Sequence, residues 1–243
     1  HIAWLGESIP WGREVAEGTP YSLVSDTNDL SDTNDISRDY KLAFVTEDLT
    51  AGDCKGEPND IGWNPNGGVE SCHAKCQHDA TEANHTGSYK ALLYVNEDDQ
   101  TGTVWIPDSK IKLPSTAAAA DTGDPNGLLC NSRAECLGGF LQDSSGNQLF
   151  LNRLADGTEV SSTSEEVWTG LDLDNDSGTA TNSSHTEGNG DCVGWTSKEN
   201  SNWGEWGEVN SSDPGNWGSS TTSDDTNEKS KCDTLKRIYC FEQ

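Results

Sequence analysis

Along the chain, short apolar stretches are separated by long polar ones. The run Lys41-Leu-Ala-Phe-Val-Thr46 predicts a strand, and Leu235-Lys-Arg-Ile-Tyr-Cys-Phe241 predicts a closing one. Between Val69 and Ala83, Cys72, Cys76 and Ala80 recur at i, i+4 and i+8, the spacing of one helix face. Tyr89 to Val95 predicts a further strand, and shorter strands are expected at 137–142, 148–153 and 166–171. Residues 51–68 are rich in Gly, Pro and Asn and read as loop, as do 114–127. From Asp172 to Glu228 the chain is almost entirely Asp, Asn, Ser, Thr and Gly, punctuated by Trp195, Trp203, Trp206 and Trp217, and is expected to be irregular. The pattern predicts one loop-rich α+β domain over 41–243, preceded by an N-terminal extension, 1–40.

Composition makes that domain hard to hold together. Leu, Ile, Val and Phe supply only 39 of 243 residues, and 42 acidic against 15 basic side chains leave a net charge of −27. Few aliphatics with high net charge is the signature of chains that cannot bury enough surface to fold. Nine Trp and eight Cys oppose it, because aromatic burial and cross-links order chains that are short of aliphatics. The acidity argues against nucleic acid or an anionic membrane surface as partner. No apolar run reaches the roughly 18–20 residues of a membrane span. The even cysteine count, with a chain beginning at His1 and lacking Met, is expected of a secreted, processed protein from an oxidising compartment. Glycosylation sequons stand at Asn84, Asn175, Asn182 and Asn210.

The order of segments from Lys41 onward carries a resemblance. Phe44-Val45-Thr46 lies in the opening strand, and Gly67-Gly68 enters a helix with Cys72-His-Ala-Lys-Cys76-Gln77. Gly87-Ser-Tyr-Lys-Ala-Leu-Leu93, Val167-Trp-Thr-Gly-Leu171 and Asp191-Cys-Val-Gly-Trp-Thr-Ser197 follow, and Cys232 and Arg237-Ile-Tyr-Cys240 close the chain. Together these resemble a bacterial domain-of-unknown-function family of the endostatin-like branch of the C-type-lectin-like fold. The resemblance covers about 200 residues and leaves the extension outside it. It implies a Cys76–Cys240 bridge from the helix to the last strand and a Cys192–Cys232 bridge across the irregular region. With those two implied, Cys130 and Cys136, close in sequence, are expected to bridge locally, which leaves Cys54 with Cys72.

Several residue groups are candidates for chemistry. Cys72, His73, Cys76 and His78 have zinc-ligand residue types, but the two cysteines share a helix face that the histidines do not, and disulfides are the favoured reading. Asp172, Asp174 and Asp176 alternate ahead of Gly178, as in a calcium loop, although Ser183 stands where such a loop carries its Glu. A repeat, Ser-Asp-Thr-Asn-Asp-Leu at 25–30 and Ser-Asp-Thr-Asn-Asp-Ile at 31–36, reads as two Asx-type turns with Leu30 and Ile36 turned inward. The alternative is calcium held by Asp26, Asp29, Asp32 and Asp35. Trp203, Trp206 and Trp217, flanked by small and polar residues, are candidates to stack on sugar rings, against a reading in which they serve as core. Glu57-Pro-Asn59 matches a sugar-and-calcium tripeptide of lectins but lies ahead of the helix, outside its family position. His1 is a remote candidate copper chelator that would need His73, His78, His85 or His185 beside it. No nucleophile-elbow, zincin, P-loop or dinucleotide fingerprint occurs.

The expectation is therefore a secreted, non-enzymatic, C-type-lectin-like protein, with calcium as its candidate ion. Two uses compete: a homo-oligomeric or filamentous structural subunit, docked through its extension, and a monomeric glycan- or protein-recognition module. A copper-dependent polysaccharide oxidase using His1 is the remote alternative.

Overall fold

The computed structural model describes residues 39–55, 67–93, 106–115, 127–142, 147, 149–160, 165–170, 191–211, 217–218 and 229–243. These form an α+β arrangement around a mixed sheet. Eight strands take part: β1 (Tyr40–Val45), β2 (Tyr89–Ala91), β3 (Lys110–Lys112), β4 (Leu128–Cys130), β5 (Glu166–Trp168), β6 (Trp203–Glu208), β7 (Lys229–Lys231) and β8 (Arg237–Glu242). The order across the sheet is β4-β3-β1-β8-β5-β6-β7, with β2 also pairing β8. The first and last described strands are thus antiparallel neighbours at its centre, with Phe44 opposite Cys240. The helices are α1 (Val69–Glu82) and the short α2 (Arg133–Gly138). Cys192–Trp195 makes one tight turn, α3, in which Cys192, Val193, Gly194 and Trp195 all have positive φ, so the turn is left-handed.

Strand periodicity divides the core into two layers. On β1, Ala43 and Val45 face one way and Leu42 and Phe44 the other; on β8, Tyr239 and Phe241 oppose Ile238 and Cys240. Both faces are covered, which is why β8 is apolar over consecutive positions rather than alternating. Helix α1 covers the Phe44 face through Cys72, Cys76 and Ala80. The opposite face has no long helix over it among the described residues. Loop residues Ile106, Leu113, Leu151 and Val160 pack there with Trp217. The aromatics compensate for scarce aliphatics: Trp168 meets Trp195 edge-on at 5.9 Å, and Trp217 meets Tyr239 at 5.7 Å.

Four disulfides staple these layers: Cys54–Cys72, Cys76–Cys240, Cys130–Cys136 and Cys192–Cys232. No described cysteine is free, so Cys72 and Cys76 are bridge partners and not zinc ligands. Three expectations of secondary structure are corrected. The 137–142 stretch is the end of α2 and a loop, because Ser132 caps that helix by accepting the Glu135 N–H. Of the 148–153 stretch, the described residues 149–153 are irregular apart from an Arg153–Glu159 bridge, and Leu151 is buried without a ladder around it. Within the polar region, Trp203–Glu208 is a strand, hydrogen-bonded to β5 on one side and β7 on the other.

Two of the buried polar side chains, His73 and Lys236, have their pKa values pushed far from the usual range. His73 on α1 accepts the Ala91 N–H at Nδ1 (3.0 Å), and burial, with Lys90 adding to it, pushes its pKa down to about 4. The neutral ring therefore belongs to the folded state. Stability from this site is full above the unfolded value near 6.5 and is lost as pH falls from there toward 4, about 3 kcal/mol in all. Asp79, raised by its own burial, contributes with the opposite sign, so the net curve mixes the two. Urea unfolding of wild type and His73→Asn across this window separates them: the variant, whose amide oxygen replaces the Nδ1 acceptor, is expected to lose less stability toward acid. Parallel curves would remove His73 as the cause. The second is Lys236, whose side chain is 1 % exposed and contacts Glu166, with the Trp168 and Trp206 rings 5.1 and 4.7 Å away. Burial lowers its pKa to about 8.

Candidate functional site

The segment after β1 builds the most developed surface feature. Thr50 bridges Lys236 in antiparallel fashion, Gly52 donates its N–H to the Cys232 carbonyl (2.8 Å), and Cys54 is tied to α1 through Cys72. Gly52 lies against the Cys192–Cys232 bridge so closely that a Cβ there would meet the Cys192 sulfur at 2.2 Å. The floor is thereby held by two disulfides and a strand bridge. Above it opens a groove of about 500 Å³ that also takes in Lys75 from α1, Lys198 after the left-handed turn, and Asp233 and Leu235 ahead of β8.

Its chemistry is mixed. Leu49 and Leu235 are 46 and 58 % exposed, two of the three large apolar side chains that stand in solvent among the described residues. Lys75 pairs with Asp48 at 3.4 Å. Lys55 and Lys198 are exposed and make no ion pair among the described residues. The buried Asp53 accepts the Lys55 backbone N–H (3.1 Å), and Asp233 accepts from the Asn200 amide (3.0 Å). Two exposed leucines thus stand beside two ammonium groups that have no ion-pair partner among the described residues.

A second cleft, about 210 Å³, lies between α1 and the 154–156 loop and is lined by Glu47, Asp48, His78, Asp79, Glu82 and Asp156. Asp79 there accepts the Glu47 N–H at 2.9 Å. No three ligating side chains converge on a metal position among the described residues.

The tryptophans expected to bind ligand do not form one surface. Trp217 is 2 % exposed, against Phe140 at 5.0 Å and Tyr239 at 5.7 Å. The ring is packed against core Tyr239 and half-buried Phe140, which counts against its assignment to sugar stacking. Trp203 and Trp206 are half-buried on β6, each with a lysine over its ring, Lys231 at 3.3 Å and Lys236 at 4.7 Å. Asp172, Asp174, Asp176, His1, Glu57-Pro58-Asn59 and the 25–36 repeat lie outside the described residues. Of the sequons, Asn84 is exposed, and Asn210 donates its amide to Val160 (3.2 Å) while accepting from Asn152; Asn175 and Asn182 lie outside the described residues. The groove itself was missed in the sequence. Its one legible signal was Leu235, an apolar residue directly after a polar loop. Neither a protein-family model nor a curated protein matches this chain.

Proposed function

We propose that this chain is a secreted, non-enzymatic, C-type-lectin-like subunit of an extracellular fibre or surface assembly. The observation that carries the reading is the groove, a rigidly braced surface with two exposed leucines in a chain that has few aliphatics to spare. Leaving leucines in water while Trp217 fills the core makes sense where another polypeptide covers them. Four cysteine pairs fit an oxidising compartment, and no described helix is long and apolar enough to cross a membrane. The pairing of β1 with β8 and the tether from α1 to β8 support the C-type-lectin-like expectation. Glycan recognition is the weaker reading, since one of its three tryptophans is core and the other two already carry lysine ammonium groups.

Sedimentation velocity on the full chain, with calcium and with a chelator, tests the proposal. Species far larger than 26.1 kDa are expected. A monomer under both conditions would overturn it and favour a recognition module. Dissociation by the chelator alone would give the Asp clusters, Asp172, Asp174 and Asp176 among them, a role in holding calcium.

A further inference from the structure

We propose that the groove beside Cys54–Cys72 receives residues 25–36 of a second copy of this chain. The proposal rests on the assembly reading above and names the contact that would carry it.

Complementary chemistry is the first support. Each half of the repeat holds two aspartates and ends in one apolar side chain, Leu30 or Ile36. The groove offers Leu49 and Leu235 to the apolar positions and the ammonium groups of Lys55 and Lys198 to the carboxylates. Its own aspartates are occupied: Asp48 by Lys75, Asp53 by the Lys55 N–H and Asp233 by Asn200. On a chain of net charge −27, a groove where three lysines offset three aspartates is a place where an acidic segment meets little repulsion.

Reach decides whose segment it is. The chain enters β1 at Tyr40, whereas the groove starts at Asp48, beyond the other end of that strand. The six residues of β1 alone span about 20 Å. Ile36 is three residues from Asp39, so it stays within about 10 Å of it even when fully extended. A chain's own Ile36 falls short of its own groove, although its earlier residues, nine or more from Asp39, could reach it; seating the whole segment, with Leu30 and Ile36 together, therefore needs a neighbour's chain.

The test is cross-linking of full-length chains. Equal amounts of ¹⁵N-labelled and unlabelled protein are mixed before assembly, treated with a zero-length carbodiimide, reduced, digested and read by mass spectrometry. Amide links from Lys55 or Lys198 to Asp26, Asp29, Asp32 or Asp35 that join labelled to unlabelled peptides are expected. The exposed double variant Lys55→Glu/Lys198→Glu is expected to lower the assembled fraction at least tenfold, and Asp29→Lys/Asp35→Lys in the same chain to restore it. Links confined to one isotope would show a chain's own segment in its groove and overturn the proposal. Assemblies that form without these links, and that ignore the charge reversal, would overturn the groove contact and leave the assembly reading standing. Wild-type protein that never assembles would overturn both.

Discussion

Replacing Cys76 and Cys240 together with alanine is expected to lower stability by about 5 kcal/mol, against about 2 kcal/mol for the same change at Cys130 and Cys136. The two bridges differ in what they close. Cys76–Cys240 spans 164 residues and ties α1 to the central strand β8, whereas Cys130–Cys136 spans six between β4 and α2. Cross-linking distant positions removes far more freedom from the unfolded chain than cross-linking near ones. A domain of this kind has only about 5–15 kcal/mol to lose, so the first double variant is expected to be largely unfolded at 37 °C. Urea denaturation monitored by tryptophan emission measures both. Equal midpoints for the two variants would remove loop closure as the reason this acidic, aliphatic-poor chain folds.

Trp217→Ala is expected to cost about 3–5 kcal/mol, the range for deleting a buried large aromatic. The ring fills the sheet face that no long described helix covers, against Phe140 and Tyr239. Its position depends on β6 having no side chain at Gly207, where a Cβ would lie 2.1 Å from the Trp217 carbonyl oxygen. Gly207→Ala is therefore expected to destabilise in the same sense, by about 1–3 kcal/mol, through backbone displacement. Near-ultraviolet circular dichroism with urea titration reads both. The pair also separates core from ligand site. A wild-type midpoint in Trp217→Ala, with altered binding to an immobilised glycan, would return Trp217 to the surface role first expected of it.

Much of the scaffold could be read directly from the residues. The i, i+4, i+8 spacing of Cys72, Cys76 and Ala80 marked α1, and the apolar runs at 41–46 and 235–241 marked the central strands within about a residue or two. Such elements announce themselves because burial must follow their own period. β6 did not: Trp-Gly-Glu-Trp-Gly-Glu has no apolar alternation, and its glycines are buried by neighbouring backbone and ring rather than by hydrophobicity. The same holds for β3, β4 and β7, three residues each, which are strands only because a partner supplies their hydrogen bonds.

The candidate site was less legible. Leu235 and Lys236 invert the usual rule, the leucine facing solvent and the lysine buried against Glu166 and two tryptophans. Hydropathy assigns each residue a preference, but the direction of a side chain is set by the Thr50–Lys236 bridge, a contact between residues far apart in sequence. The groove likewise joins residues from 48–55, α1, 198 and 233–235, distant in sequence and braced by the Cys54–Cys72 and Cys192–Cys232 bridges. By itself the sequence determined the acidic, cysteine-stapled α+β character of this protein, since composition and local period act residue by residue. Only the tertiary structure decided which tryptophan is core and which leucines stand in solvent, because those outcomes depend on packing between distant segments.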